Sequence, residues 1–191
     1  MAHPDDETYG MGATIRKLSN AGHEIGVISF TNGVGARLGS TKEEAKSREA
    51  ASSEASKILG FKWLERLDFP DNQLDSVPII EIVRHIEAIA KDFQPREVYT
   101  HFYGDLNVDH QTVARATLTA FRPLPTGDIA KISAFEIPSS TDFGAPIADL
   151  VFSPNCFESV SDAEISSKLL AAKSYGVETP EFPHPRSTES L

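Results

Sequence analysis

The sequence predicts an α/β fold: a mostly parallel sheet covered by helices on both faces, three layers in all. Short β-branched apolar runs alternate with longer stretches whose apolar residues recur at helical spacing, as expected of parallel strands joined by crossover helices. A chain of 191 residues with 40% hydrophobic content also suffices for one substantial core and falls short of two full-sized domains. We therefore expect a single domain over residues 1–191.

The elements follow in order. Pro4 disfavours helix at His3, so His3-Pro4 reads as a turn and Thr8 to Leu18 as the helix after it. Glu24 to Phe30 is a short apolar strand ending at Thr31-Asn32-Gly33, and Lys42 to Leu59 is a helix running up to Gly60. Trp63 to Leu67 is a weaker strand. In the helix Ile79 to Phe93, the residues Ile79, Ile82, Val83, Ile86, Ile89, Ala90 and Phe93 share one face, which should meet the core. Glu97 to Phe102 is the next strand, His110 to Phe121 a helix, Ile132 to Ile137 a strand, and Asp162 to Tyr175 a helix capped by Ser161. Residues 178–191, with three prolines and no periodicity, read as a loop or tail.

Composition narrows the function. A net charge of -10 without a Lys/Arg cluster argues against nucleic acid and anionic membranes as partners. No apolar run approaches the roughly 20 residues that cross a bilayer, and the start lacks the pattern of a secretory signal, so the expected location is the cytoplasm. Cys156 is the single cysteine, which excludes an intrachain disulfide and a thiolate zinc finger; its apolar surroundings from Leu150 to Phe157 predict a buried structural thiol. The G-x-S-x-G nucleophile motif is absent. Any metal must therefore be held by His and carboxylates.

Two segments supply such groups. Ala2-His3-Pro4-Asp5-Asp6-Glu7 places an imidazole and three carboxylates in a loop at a helix N-terminus, where backbone N–H groups and the helix dipole favour negative charge. His3 and Asp6 can converge on one ion while Asp5 points elsewhere. Gly104-Asp105-Leu106-Asn107-Val108-Asp109-His110 follows a strand, the position at which α/β sheets bind ligands, so His110 could complete a two-His, one-Asp site. Zn2+ suits that donor set, and Fe2+ or another divalent ion also fits. Asp109 reads equally as a helix cap or as a partner behind the ligands. A capping acidic cluster with a surface His is the plain alternative for the first segment; the His-Pro in front of it tips the reading toward a site.

AHPDDE near the start, followed about a hundred residues later by a strand and an Asp-His pair, resembles the PIG-L/LmbE family of metal-dependent N-deacetylases. The resemblance extends to the Arg48 helix, the loop Phe69 to Leu74 and the tail His184-Pro185-Arg186-Ser187. It implies a Rossmann-like fold whose first strand and C-terminal end are missing from this sequence. By the same resemblance His3, Asp6 and His110 are metal ligands, Asp5 is the general base that activates water, and Arg48 and Asp71 contact sugar hydroxyls. Where many family members have His at the first position of an H-x-D-H motif, this sequence has Asn107, which can donate a hydrogen bond but cannot transfer a proton at neutral pH. His184 is then the candidate for the absent imidazole, and His101 a weaker one. The implied substrate is an N-acetylated sugar, nucleotide- or lipid-linked forms included, with Arg37, Arg48 or Arg186 meeting phosphates and a homo-oligomer of open number. A non-sugar amide, or a sugar-binding relative without catalysis, remains as an alternative. The Gly33-Val34-Gly35 and Gly39 spacing departs from a dinucleotide fingerprint and fits a loop shaping a pocket better than an oxidoreductase.

Overall fold

The computed structural model describes residues 1–123, 131–147 and 150–191, apart from the side chain of Val177. Its main elements, in chain order, are α1 (Asp6–Asn20), β1 (Gly26–Thr31), α2 (Lys42–Leu59), β2 (Lys62–Phe69), α3 (Ile79–Phe93), β3 (Glu97–His101), α4 (Val108–Ala120), β4 (Lys131–Phe135) and α5 (Asp162–Ser174). Short 3-10 turns at Leu74–Ser76 and Gly176–Glu178 join them.

Both strand pairs are parallel, β1 with β2 and β3 with β4. β1 pairs with β2 from Gly26↔Lys62 to Thr31↔Phe69, and β3 with β4 from Glu97↔Lys131 to His101↔Phe135. The chain start lies between the pairs: Phe30 and Thr31 donate to the Ala2 carbonyl, and the Ala2 amide donates to the His101 ring at 2.9 Å. Two apolar clusters complete three layers. Met11, Ile15, Ala55, Leu59, Phe135 and Tyr175 pack where α1, α2 and α5 meet, while Phe30, Ile82, Val83, Ile86, Val113 and Ala116 pack under α3 and α4.

Local chemistry sets the boundaries. Thr41 and Glu44 form a reciprocal capping box at the start of α2, and Gly60 ends it at φ 83, a left-handed conformation that costs glycine little. Ser161 and Glu164 repeat the box at α5. Two expectations are corrected. Ile79 is 42% exposed, because it opens α3 before the helix has turned its apolar face onto the sheet. Cys156 is exposed, because the apolar run around it forms no helix or strand and lies on the surface. No helix among the described residues is long and apolar enough to cross a membrane.

Candidate metal centre

β1 ends at Thr31, β2 at Phe69, β3 at His101 and β4 at Phe135, so the loops that follow them gather at the carboxyl edge of the sheet. The loop before α1 enters the same space. His3 Nδ1 and His110 Nε2 face each other at 3.2 Å, and both lie 3.3 Å from the Asp6 carboxylate. Asp6 opens α1, and its Oδ2 also accepts the His3 amide at 2.8 Å, which fixes the carboxylate at the helix start.

The outer nitrogens show which tautomers the imidazoles take. His3 Nε2 lies 3.3 Å from both Asp109 Oδ2 and Asp71 Oδ1, and His110 Nδ1 lies 3.1 Å from Asp105 Oδ1. In the neutral rings these carboxylates favour the proton on each outer nitrogen, which leaves the lone pair on each inner nitrogen for a cation. Two lone pairs and a carboxylate converge on one point, and buried Asp6 Oδ1 has no hydrogen-bond partner. That donor set fits a divalent cation. Burial alone would lower the His3 pKa, yet Asp6, the Asp109 hydrogen bond and Asp5 together raise it to about 10. His110 is likewise raised against its burial, by Asp6 and Asp105. Two protonated rings would bring N–H against N–H at 3.2 Å; a shared cation meets the same negative surround without that clash.

The carboxylates behind the two imidazoles are themselves held. Asp109 accepts the Asn72 and Leu74 amides at 2.7 and 2.9 Å, and Asp105 accepts the Thr141 and Ser140 hydroxyls at 2.6 and 3.0 Å. Asp71 accepts Thr31 Oγ1 and the Ala36 amide, both at 3.0 Å, tying the glycine loop to His3. Gly33 is needed there: at φ 70, an added Cβ would stand 3.2 Å from Pro4 Cδ and 3.4 Å from His3 Cβ. His101 stacks on His110, centroids 4.0 Å apart, while its Nε2 accepts the Ala2 amide; burial and His110 hold its pKa well below the usual imidazole value.

Asp5 is buried, with Oδ2 3.0 Å from Arg48 and 3.4 Å from Arg186. Burial raises its pKa, outweighing the pull of the two arginines. Arg48 is itself enclosed, donating to the Pro4 carbonyl at 2.9 Å and to Glu178 at 2.5 Å.

Several expected roles change with this placement. Arg48 is 7% exposed and pairs with Asp5, and Asp71 is 5% exposed and lies against His3. His101 is 1% exposed and stacks on His110. Asn107 caps α4, its side-chain oxygen accepting the Asp109 amide at 2.8 Å and its amide group donating to Asn72 at 3.0 Å, so both ends are engaged. Asp109, for its part, is a partner behind His3 and no cap. Exposed Arg37 pairs with Glu178. His184 lies in the tail, accepting the Arg186 amide at 3.1 Å with its ring edge-on to Phe143; the tail residue that reaches Asp5 is Arg186.

Four further contributors carry no assigned role in the sequence pattern. Asp105 was visible in the motif but has no helical spacing to His110 that would reveal the pair. Glu7 is fully buried, accepting the Tyr175 hydroxyl at 2.6 Å and the Asp5 amide at 3.1 Å, and burial pushes its pKa up to about 7. Its partner Tyr175 and the Arg48 partner Glu178 lie more than a hundred residues away and carry no local signal.

Fold and site together define a Rossmann-like α/β protein with a buried two-His, one-carboxylate cluster suited to a divalent metal. The chain belongs to the PIG-L family: the family model described as GlcNAc-PI de-N-acetylase matches residues 1–121. It is 30% identical to the uncharacterized deacetylase YaiS of Escherichia coli K12, over 91% of this chain and 86% of that protein. It is 26% identical to the diacetylchitobiose deacetylase of Thermococcus kodakarensis, over 94% of this chain and 68% of that protein. The N,N'-diacetylchitobiose deacetylase structure from Pyrococcus horikoshii shares the fold with a TM-score of 0.74 at 24% identity, covering 94% of this chain and 68% of its own.

Proposed function

We propose that the protein is a metal-dependent hydrolase that removes the acetyl group from an N-acetylated sugar, nucleotide- or lipid-linked forms included, with Zn2+ as the metal. The observation that carries this reading is the convergence of His3 Nδ1, His110 Nε2 and unpartnered Asp6 Oδ1, with the Asp5 carboxylate on the neighbouring residue. A divalent ion held by His3, Asp6 and His110 supplies Lewis acidity toward an amide carbonyl and lowers the pKa of water to about 7.

The chain's own groups do the rest. Asp5 acts as the base: the arginines engage its Oδ2, and Oδ1 has no partner among the described residues, free to take a proton from attacking water. Burial keeps the pKa of Asp5 raised, so the same carboxyl can return that proton to the departing amine. Arg48 and Arg186 fix its orientation from two sides. His184 and Asn107 then act on the loops around the site and transfer no proton. The related proteins named as deacetylases, one of them acting on diacetylchitobiose, support a sugar amide as substrate.

The test is acetate release from a panel of N-acetyl sugars and their nucleotide-linked forms, with metal content measured alongside. The reading expects release by the metal-loaded chain, lost in Asp5→Asn with metal retained. A loaded chain that binds the sugars and releases no acetate from any of them would overturn it.

A further inference from the structure

Asp5 is held at two points, and both holders meet at one side chain. Its amide donates to Glu7 Oε2 and to the His3 carbonyl, each at 3.1 Å, and its Oδ2 lies 3.0 Å from Arg48 Nη1. Tyr175, 4% exposed at the end of α5, touches Glu7 and Arg48 together. Its hydroxyl donates to Glu7 Oε1 at 2.6 Å, and the Arg48 guanidinium lies over its ring, 5.6 Å from the centroid.

These contacts close a ring from the Asp5 backbone through Glu7, Tyr175 and Arg48 to the Asp5 carboxylate. Glu7 belongs to α1 and Arg48 to α2, and the three helices share one apolar cluster that includes Met11, Leu59, Ala171 and Tyr175. The remaining bonds of the ring return to the same region: Thr8 Oγ1 donates to Glu7 Oε1 at 2.8 Å, and Arg48 donates to the Pro4 carbonyl at 2.9 Å and to Glu178 at 2.5 Å. A tyrosine ring is rigid, so fixing its face against Arg48 also fixes where its hydroxyl meets Glu7. Among the described residues its hydroxyl bonds none of His3, Asp6 and His110.

We propose that, with Asp5 acting as the base of the function proposed above, Tyr175 is a positioning residue for it, steadying the Asp5 amide through Glu7 and the Asp5 carboxylate through Arg48. Tyr175→Phe keeps the ring under Arg48 and removes the bond to Glu7. Glu7→Gln keeps the shape and replaces one acceptor oxygen with an N–H donor, so the Asp5 amide and the Tyr175 hydroxyl can no longer both be accepted.

The test measures kcat and KM for acetate release, metal content, and amide hydrogen exchange at Asp5 against Ile15 in the middle of α1. Tyr175→Phe should lower kcat by about 10-fold, less than the roughly 10²-fold that a 1 Å misplacement can cost, with KM and metal content unchanged. Glu7→Gln should do the same, and the two together should lose little more than either alone, since they break one path. In an Asp5→Asn background Tyr175→Phe should cause no further loss, which a general loosening of the fold would not reproduce. Exchange should quicken at Asp5 and stay unchanged at Ile15. Thr117→Val, which removes a buried hydroxyl from the Thr100 pair, should lower Tm and leave kcat alone. An unchanged kcat in both Tyr175→Phe and Glu7→Gln, a further loss on top of Asp5→Asn, or exchange that quickens equally at Asp5 and Ile15 would each overturn the proposal. Should the native chain release no acetate, the proposed function fails, and quickened exchange at Asp5 alone supports the positioning role while unchanged exchange overturns it.

Discussion

At the carboxyl ends of β1 and β3, Asp71, Asp105 and Asp109 accept donors from several separate loops, and the outer nitrogens of His3 and His110 lie against these carboxylates. A few residues back along the same two strands, the facing edges have no partner strand among the described residues and are walled by apolar side chains. One end of the sheet is held by directional polar bonds and the other is lined by apolar side chains. Substitutions at the first should therefore appear in metal affinity and turnover, and changes at the second in stability alone.

Asp5→Asn gives the largest expected effect: acetate release falls by about 10²- to 10⁴-fold with metal content unchanged, because the base is removed and the ligands are not. Steady-state kinetics paired with metal analysis decide it. A variant that lost metal as well would place Asp5 among the ligands and blur the division between the two ends.

Asp105→Ala and Asp109→Ala come next. Each should weaken metal binding, Asp105→Ala by about 10- to 100-fold because it removes the carboxylate at His110 Nδ1, and Asp109→Ala by less because Asp71 still faces His3 Nε2. They should differ in stability. Asp109→Ala also strips partners from the Asn72 and Leu74 amides, at about 1–3 kcal/mol for each group left unsatisfied, so its Tm should fall further than that of Asp105→Ala.

The polar end should also show a pH dependence that depends on metal. In the metal-free chain the folded-state pKa of His3 is about 10 against an ordinary 6.5, so the folded state holds an extra proton between those values. The stability it contributes is full below about 6.5 and is lost as pH rises toward about 10. With metal bound, the cation takes the proton's place and this loss disappears. Thermal unfolding across pH 6 to 10, with chelator and with Zn2+, should give a falling curve and a flatter one; parallel curves would mean that no cation replaces the proton.

Much of this was legible in the chain before any coordinates. The boundaries of α2 and α3 follow from the Thr41 to Glu44 box, from Gly60 and from a clean apolar face, all of which are local. His3, Asp6 and His110 stood out because their residue types suit a metal and their segments flank strand ends. The inward turn of Arg48 and Asp71 was hidden, since it depends on Asp5 and His3 being buried beside them, and a sequence does not say which charged side chains face each other. Asn107 was read as an active-site amide because its cap partner is a backbone amide, invisible as a residue type. The Glu7 to Tyr175 contact spans 168 residues and belongs to tertiary packing alone.

Smaller effects separate loop-holding from chemistry. Asn107→Ala should cost about 1 kcal/mol through the lost α4 cap, read as a drop of about 2–4 °C in Tm, with turnover changed only a few-fold. His184→Ala should change turnover least, because Asp5 both takes and returns the proton. A loss from His184→Ala comparable to that of Asp5→Asn would move the acid to the tail.

The central claim is that His3, Asp6 and His110 together hold one divalent ion, and metal titration of the purified chain tests it most directly. The proposed site predicts one divalent ion per chain for the native sequence, titrated as Zn2+, and loss of that stoichiometric binding in His110→Ala, with the fold retained by circular dichroism. A native chain that takes up no metal after reconstitution, or a His110→Ala chain that binds it equally well, would contradict the account.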